Sequence, residues 1–264
     1  MNHDAQTYAR YRPLYPTEFF KGLLLKVGHT NPHHLRMLDV GCGAGQSVQS
    51  LSNALSIGFP KNHSWRLAAC DPDPAMIAAA RSSLGELADW TVAPAEKLPF
   101  SDGSFQAISL LSAYHWFDRE QADLELLRVL GRGGCILIGE YQFPKTQHQP
   151  DFDEWIRRNF NLHWKLPEQK PRGRLRDLTR NLTGNAEVQG VIWSKLETEQ
   201  HLTASDFTGL LVSQARYIAY LKTLPSEKAR ADYLIETQNH IHATLGDGET
   251  PFRFRFESVV LSKA

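Results

Sequence analysis

From His34 to Tyr141 the chain alternates short, nearly continuous apolar runs with longer stretches whose apolar positions return every three or four residues. The runs are HLRMLDV (His34–Val40), WRLAAC (Trp65–Cys70), WTVA (Trp90–Ala93), SFQAISLLSA (Ser104–Ala113) and CILIGEY (Cys135–Tyr141). Runs of this length with little polar alternation predict strands buried on both faces, as in a parallel sheet. QSVQSLSNALS (Gln46–Ser56), PAMIAAARSSLGELA (Pro74–Ala88) and REQADLELLRVL (Arg119–Leu130) carry the helical period between them. In the last of these, Leu124, Leu127 and Leu130 keep that spacing and Leu126 widens the stripe. The glycines of GRGG, Gly131 to Gly134, are then expected to close the helix in the left-handed conformation. Strand, turn and helix in repetition predict an α/β fold with crossovers on both sheet faces.

The rhythm differs at both ends. An aromatic, proline-punctuated segment opens the chain, and Glu18–Val27 follows as an amphipathic helix. After Tyr141 the chain turns polar, with DFDEWIRRNFNLHWK (151–165) expected as helix and LPEQKPRGRLRDLT (166–179) as loop. Two long helical stretches follow, roughly 203–222 and 226–245, bracketed by the strand-like VQGVIWSKLETEQ and PFRFRFESVVLSK. The division expected is an N-terminal arm and helix (1–33), a core (34–144), an insert or helical cap with a further core strand (145–250) and a final strand (251–264).

Composition narrows the function. The 264 residues suffice for one large domain or a core with an insert. Twenty-nine basic residues balance twenty-nine acidic ones, so no global field favours nucleic acid or an anionic membrane. The arginines Arg172, Arg174, Arg176 and Arg180 then read as a solvated lid. No apolar run reaches the length of a transmembrane helix, and the N-terminus lacks the apolar centre of a signal peptide. Cys42, Cys70 and Cys135 are odd in number and lack C-x-x-C spacing, which argues against a metal site or a disulfide framework. Buried thiols in a cytoplasmic protein are expected.

MLDVGCGAGQS, Met37 to Ser47, carries the chemistry. The first strand ends near Val40, so Gly41, Gly43 and Gly45 occupy the carboxyl edge of the sheet, where open parallel sheets bind ligands. Residues without Cβ let a ligand approach the backbone, and the next helix points unpaired N–H groups at it. Asp39 precedes the loop, and Asp71 ends the second strand, where its carboxylate can accept from both hydroxyls of a ribose or cap the helix beginning near Pro74.

Asp-x-Gly-x-Gly-x-Gly followed by a strand-end acid resembles the class I S-adenosylmethionine-dependent methyltransferases, whose fold is a Rossmann-like seven-stranded sheet flanked by helices. DPDPAMIAAAR, APAEKLPFSDGSFQAISLLSAYHWFD and RVLGRGGCILIGEY extend the likeness. YARYRPLYP, AYHWFD and the helical LVSQARYIAYLKTLPSEKA are similar to the trans-aconitate methyltransferase-like small-molecule branch. GRGG departs from the family, which usually has Pro before these glycines. The resemblance implies strand order 3-2-1-4-5-7-6 with strand seven antiparallel, and S-adenosyl-L-methionine as cofactor. The cofactor-binding residues it implies are Asp39, Gly41, Cys42, Gly43, Gly45, Gln46, Asp71, Pro72, Met76, Ala95, Glu96 and Ser112. For substrate and lid it implies Tyr8, Arg12, Tyr15, His115, Trp116 and Glu140, with Arg10 or Arg12 near a carboxylate.

The expected reaction is methyl transfer to an oxygen or nitrogen of a small molecule, a carboxylate acceptor being the form the resemblance favours. A hydroxyl acceptor would need a general base, for which His115 is nearest. No metal, nucleic acid or membrane partner is expected; acceptor identity and oligomeric state are left open. Two other classes remain. An NAD(P)-dependent oxidoreductase could use the same sheet and Asp71, although G-x-G-x-x-G spacing is missing. A non-catalytic S-adenosylmethionine-binding protein would keep the pocket without turnover.

Overall fold

The computed structural model describes residues 5–29, 34–58, 64–164 and 174–264. In chain order the elements are α1 (Ala5–Tyr11), a 3-10 turn (Thr17–Phe20), α2 (Lys21–His29), β1 (His34–Val40), α3 (Gln46–Gly58), β2 (Ser64–Asp71), α4 (Pro74–Leu84), β3 (Asp89–Val92), β4 (Phe105–Leu111), α5 (Arg119–Val129) and β5 (Leu130–Thr146). Then come α6 (Pro150–Leu162), α7 (Leu175–Leu178), α8 (Arg180–Thr183), β6 (Val188–Leu202), α9 (Ala204–Val212), α10 (Ala215–Thr223), α11 (Glu227–Leu245) and β7 (Thr250–Lys263). Two compact units result, one of residues 13–141, 172–196 and 256–264, the other of 1–12, 142–171 and 197–255.

The first unit holds the sheet, ordered β3-β2-β1-β4-β5-β7-β6 as expected. β1 pairs in parallel with β2 from His34–Ser64 to Val40–Cys70 and with β4 at Met37–Ala107. β2 with β3 and β4 with β5 are parallel too. β7 runs the other way. Lys263 near its end donates to the Leu130 carbonyl at the start of β5 at 3.1 Å, while a Cβ on Gly139 further along β5 would lie 3.3 Å from the Glu257 carbonyl earlier in β7. Leu38, Val40, Cys70, Ile108, Leu110, Ile136 and Ile138 form the buried centre with Leu126, Leu127 and Val129 of α5. These strands are apolar on successive residues because helices cover both faces. Gly139 of β5 serves a close approach: a Cβ there would lie 2.3 Å from the Phe19 ring.

Four local expectations need correction. α5 ends at Val129 with Leu130 already extended, so no left-handed glycine closes it. GRGG instead bulges out of β5. Register passes from Phe105–Leu130 to Ala107–Cys135, two residues on one strand against five on the other, and only Gly133 of this stretch has positive φ. On α5, Leu124 is 61% exposed while Ala122, Leu126 and Val129 are buried, so the inward stripe is rotated. The stretch 203–222 is two helices parted at Ser213 and extended Gln214, the Ser213 N–H closing α9 on the Gly209 carbonyl. Finally, part of the expected basic lid is packed structure: Leu175 of α7 and Leu182 of α8 belong to the core cluster, and Arg176 stacks on Trp193 at 4.7 Å. Arg172 and residues 165–171 lie outside the described residues.

The second unit has an aromatic core. Trp164, fully buried, meets Phe160 at 5.1 Å and Tyr217 at 5.2 Å, and its indole N–H donates to the Tyr233 hydroxyl at 3.0 Å. Phe207 of α9 stacks on Phe252 at 4.8 Å and meets Phe152 edge-on at 5.2 Å. Thr203 and Asp206 form a reciprocal capping box at the start of α9.

Candidate active site

The loop Gly41–Gly45 folds over the end of β2. The N–H groups of Gly41 and Cys42 both donate to the Cys70 carbonyl, at 2.8 and 3.0 Å. All three glycines have positive φ, at 73°, 54° and 97°, which L-residues rarely adopt. Two of them serve packing. A Cβ on Gly41 would lie 2.5 Å from the Ala113 Cβ, and one on Gly45 would lie 2.6 Å from Leu84 and 3.3 Å from Trp90. Gly43 instead turns its N–H to Asp71 Oδ2 at 2.9 Å.

Asp71 ends β2, and its Oδ1 accepts from the Asp73 N–H at 3.0 Å. Burial raises its pKa, while the bonds from Asp73 and Gly43 pull the other way. It does not cap α4. That position belongs to Asp73, whose Oδ1 accepts from the Ala75 N–H at 2.8 Å, with Pro74 opening the helix. A carboxylate has about four lone-pair sites, and two are used here, one on each oxygen. The others suit a pair of vicinal hydroxyls, so these acceptor sites fit the ribose of an adenosyl group.

Asp39 does something else. It is 2% exposed, and its oxygens accept from Ser47 of α3 and Ser109 of β4, each at 2.5 Å. Burial pushes its pKa up to about 6 against those two bonds. It clamps the first turn of α3 and the centre of β4 to β1. Cys42 is buried beside it, and burial first, with the Asp39 and Asp71 charges adding, holds its thiol well above the usual range, so it is no nucleophile at neutral pH.

At the end of β4, Ser112 has φ 53°, the only positive φ of a non-glycine among the described residues. Such strain persists where surroundings over-determine it. Here the Ser112 N–H donates to the Gly139 carbonyl at 2.7 Å, and its Oγ lies 2.7 Å from the Tyr15 hydroxyl. Tyr15 is buried, and its own N–H donates to Ser50 Oγ at 2.9 Å; Ser50 in turn donates to the Gln46 carbonyl at 2.7 Å. A chain of bonds thus joins the start of α3 to the strained turn.

The 3-10 turn Tyr114–Trp116 follows, with the His115 and Trp116 rings 5.0 Å apart and Trp116 46% exposed. The Tyr114 hydroxyl donates to Asp123 at 2.7 Å, where burial pushes that carboxyl up to about 6. Ala95 is buried, and Glu96 accepts from the Asp118 N–H at 2.8 Å, just before α5. Met76 is buried in α4, Pro72 is exposed, and Glu140 is half-buried near the end of the first unit's share of β5. In the second unit, Arg12 donates to the Ser213 carbonyl at 2.9 Å and lies 4.6 Å over the Tyr8 ring, while Arg10 is exposed. Sequence reasoning missed Ser47, Ser50 and Ser109. Their signal is faint: hydroxyls at positions the periodicity assigns to the interior, which must find partners there.

A glycine turn after β1, an acid ending β2 and this strand order together define the Rossmann-like fold of class I S-adenosylmethionine-dependent methyltransferases, and comparison bears that out. Residues 38–138 match the family model described as a methyltransferase domain. An uncharacterised methyltransferase of Mycobacterium tuberculosis is 32% identical over 133 residues, covering 49% of this chain and 46% of that protein. A trans-aconitate 2-methyltransferase of an Acidovorax species is 32% identical over 135 residues, covering 48% and 45%. The chain thus spans about half the length of the curated relatives it matches. Among solved structures, a protein from Anaeromyxobacter dehalogenans assigned to the type II methyltransferases superposes with TM-score 0.64 at 24% identity, covering 96% of this chain and 97% of that one. YcgJ of Bacillus subtilis gives 0.52 at 20% identity, covering 92% and 98%.

Proposed function

We propose that the protein moves the methyl group of S-adenosylmethionine to an oxygen or nitrogen of a small molecule, a carboxylate by preference. The observation carrying this reading is the Gly43–Asp71 contact, which holds the glycine turn and leaves acceptor sites for a ribose. When bound, the cofactor supplies a strongly electrophilic sulfonium methyl. The chain's own tasks are to orient and to exclude water. Asp71 accepts the ribose hydroxyls, the Gly41–Gly45 turn brings the backbone close, and Ser112 presents the main chain at the end of β4. His115 and Trp116 line the acceptor side. His115 takes the proton when the acceptor is a hydroxyl, and a carboxylate requires none.

The small-molecule class is supported by the relative named trans-aconitate 2-methyltransferase and by zero net charge, which supplies no field for nucleic acid. No helix among the described residues is long and apolar enough to cross a membrane. The unpaired, buried cysteines suit a cytoplasmic setting. The test is transfer of label from methyl-tritiated S-adenosylmethionine in a metabolite, RNA and protein extract. Label in the small-molecule fraction is expected. Label mainly in RNA or protein overturns the acceptor class.

A further inference from the structure

On one face of the sheet, the helical layer stops short of the edge strand. Glu18, Lys21, Gly22, Leu25 and Lys26 form one stripe of the 3-10 turn and α2, and the stripe faces Ile192, Ser194 and Leu196 of β6 across Phe256 and Ser258 of β7. The strand residues lie two apart, so they share a sheet face. Between helix and strand runs a groove of about 560 Å³, within the range of small-molecule sites. Its apolar members are unusually open for their type: Leu25 is 56% exposed and Ile192 39%. Gly22 lets the helix sit low, since a Cβ there would lie 3.4 Å from Val260.

Past Ile192 and Ser258 the same sheet face continues to Gly190 and Ser262, beside Lys26 of the groove's lining. Gly190 has φ 66°, and the point where its Cβ would stand lies 3.5 Å from Lys26 Nζ and 3.9 Å from Ser262 Oγ. Ser262 Oγ is buried with no hydrogen-bond partner among the described residues. Lys26 makes no ion pair among them either. A cation and an unsatisfied hydroxyl therefore converge on one spot, where a buried polar group ordinarily has a partner. Lys21 adds a second cation along the groove, against Glu18 alone, while Lys195 is already paired with Glu257.

We propose that this groove is a second binding site, separate from the glycine turn, for an anionic amphiphile of the long-chain carboxylate type. The alkyl chain lies along Leu25, Ile192 and Leu196, and the carboxylate meets Lys26 and Ser262 above Gly190. A second copy of the protein is the poorer occupant, because a two-fold contact through this face would set Lys21 and Lys26 against their own counterparts. A neutral chain would leave the Ser262 and Lys26 end unmatched, and a cationic one would be repelled.

The test uses the full chain and dodecanoate below its micellar concentration, by titration calorimetry. Saturable binding is expected, weakened as salt rises. Leu25→Glu and Ile192→Glu should each weaken it at least tenfold, and so should Lys26→Glu, while Lys26→Arg restores it. S-adenosylhomocysteine binding, measured on the same variants, should stay unchanged, which shows that they are folded. Dodecyltrimethylammonium should not compete. Dodecanoate binding that survives Leu25→Glu and Lys26→Glu, no saturable binding, or equal affinity for the cationic amphiphile would each overturn the proposal.

Discussion

Buried beside Ser47 and Ser109, the Asp39 carboxyl titrates near 6 instead of its ordinary 3.8, because burial outweighs the two hydroxyl bonds. Between those values the folded protein holds a proton that the unfolded chain has released. Stability associated with this group is therefore present below about pH 3.8 and is lost as pH rises to about 6, by roughly 3 kcal/mol at most. Asp39→Asn keeps the side chain's shape without the buried charge. Its stability relative to the native protein should climb between pH 4 and pH 6 and stay level above, read by urea denaturation at each pH. A difference constant across that window would contradict the account. The neighbouring acid has the opposite character. Asp71 is fed by two backbone N–H groups and keeps lone pairs to spare, as the proposed ribose contact requires. Both aspartates were visible in the sequence as strand-end acids. Their division of labour was not, because Ser109 is 70 residues from Asp39 in the chain and only the β1–β4 pairing brings them together.

Among the elements, the parallel strands and their helices were readable because each strand carries a nearly continuous apolar run and the helices between them keep a 3.6 period. What escaped was decided by partners distant in sequence. GRGG looks like a helix stop locally, yet Phe105 and Ala107 dictate that it bulge within β5. The break at Ser213 has neither Pro nor Gly to announce it. In the turn after β1, the spacing of the glycines was legible but their separate duties were not. Gly45 combines φ 97° with a tight meeting of α3 against Leu84 and Trp90, whereas Gly85 has φ 55° and open space around it. Gly45→Ala should therefore cost about 2–4 kcal/mol, from overpacking together with backbone strain. Gly85→Ala should cost about 1 kcal/mol, from strain alone. Equal losses in equilibrium denaturation would show that Leu84 and Trp90 yield freely and that the glycine is there only for its backbone.

At the level of the molecule, one unit carries the sheet, the glycine turn, Asp71 and the strained Ser112, and the other is knit by aromatic side chains around Trp164. The chemistry-bearing residues of the first unit are supplied by β1, β2 and β4, whose ends parallel pairing brings together. The central claim is that this edge holds an adenosyl cofactor through Asp71. Calorimetric titration of S-adenosylhomocysteine into the native protein and into Asp71→Ala tests it most directly. The native protein should bind with a micromolar dissociation constant, on the order of −8 kcal/mol. Asp71→Ala should weaken binding by roughly 1.5–3 kcal/mol, the scale of hydrogen bonds to a charged group, with NAD showing no binding to either. Equal affinity of the two proteins for S-adenosylhomocysteine, or binding of NAD in its place, would contradict the account.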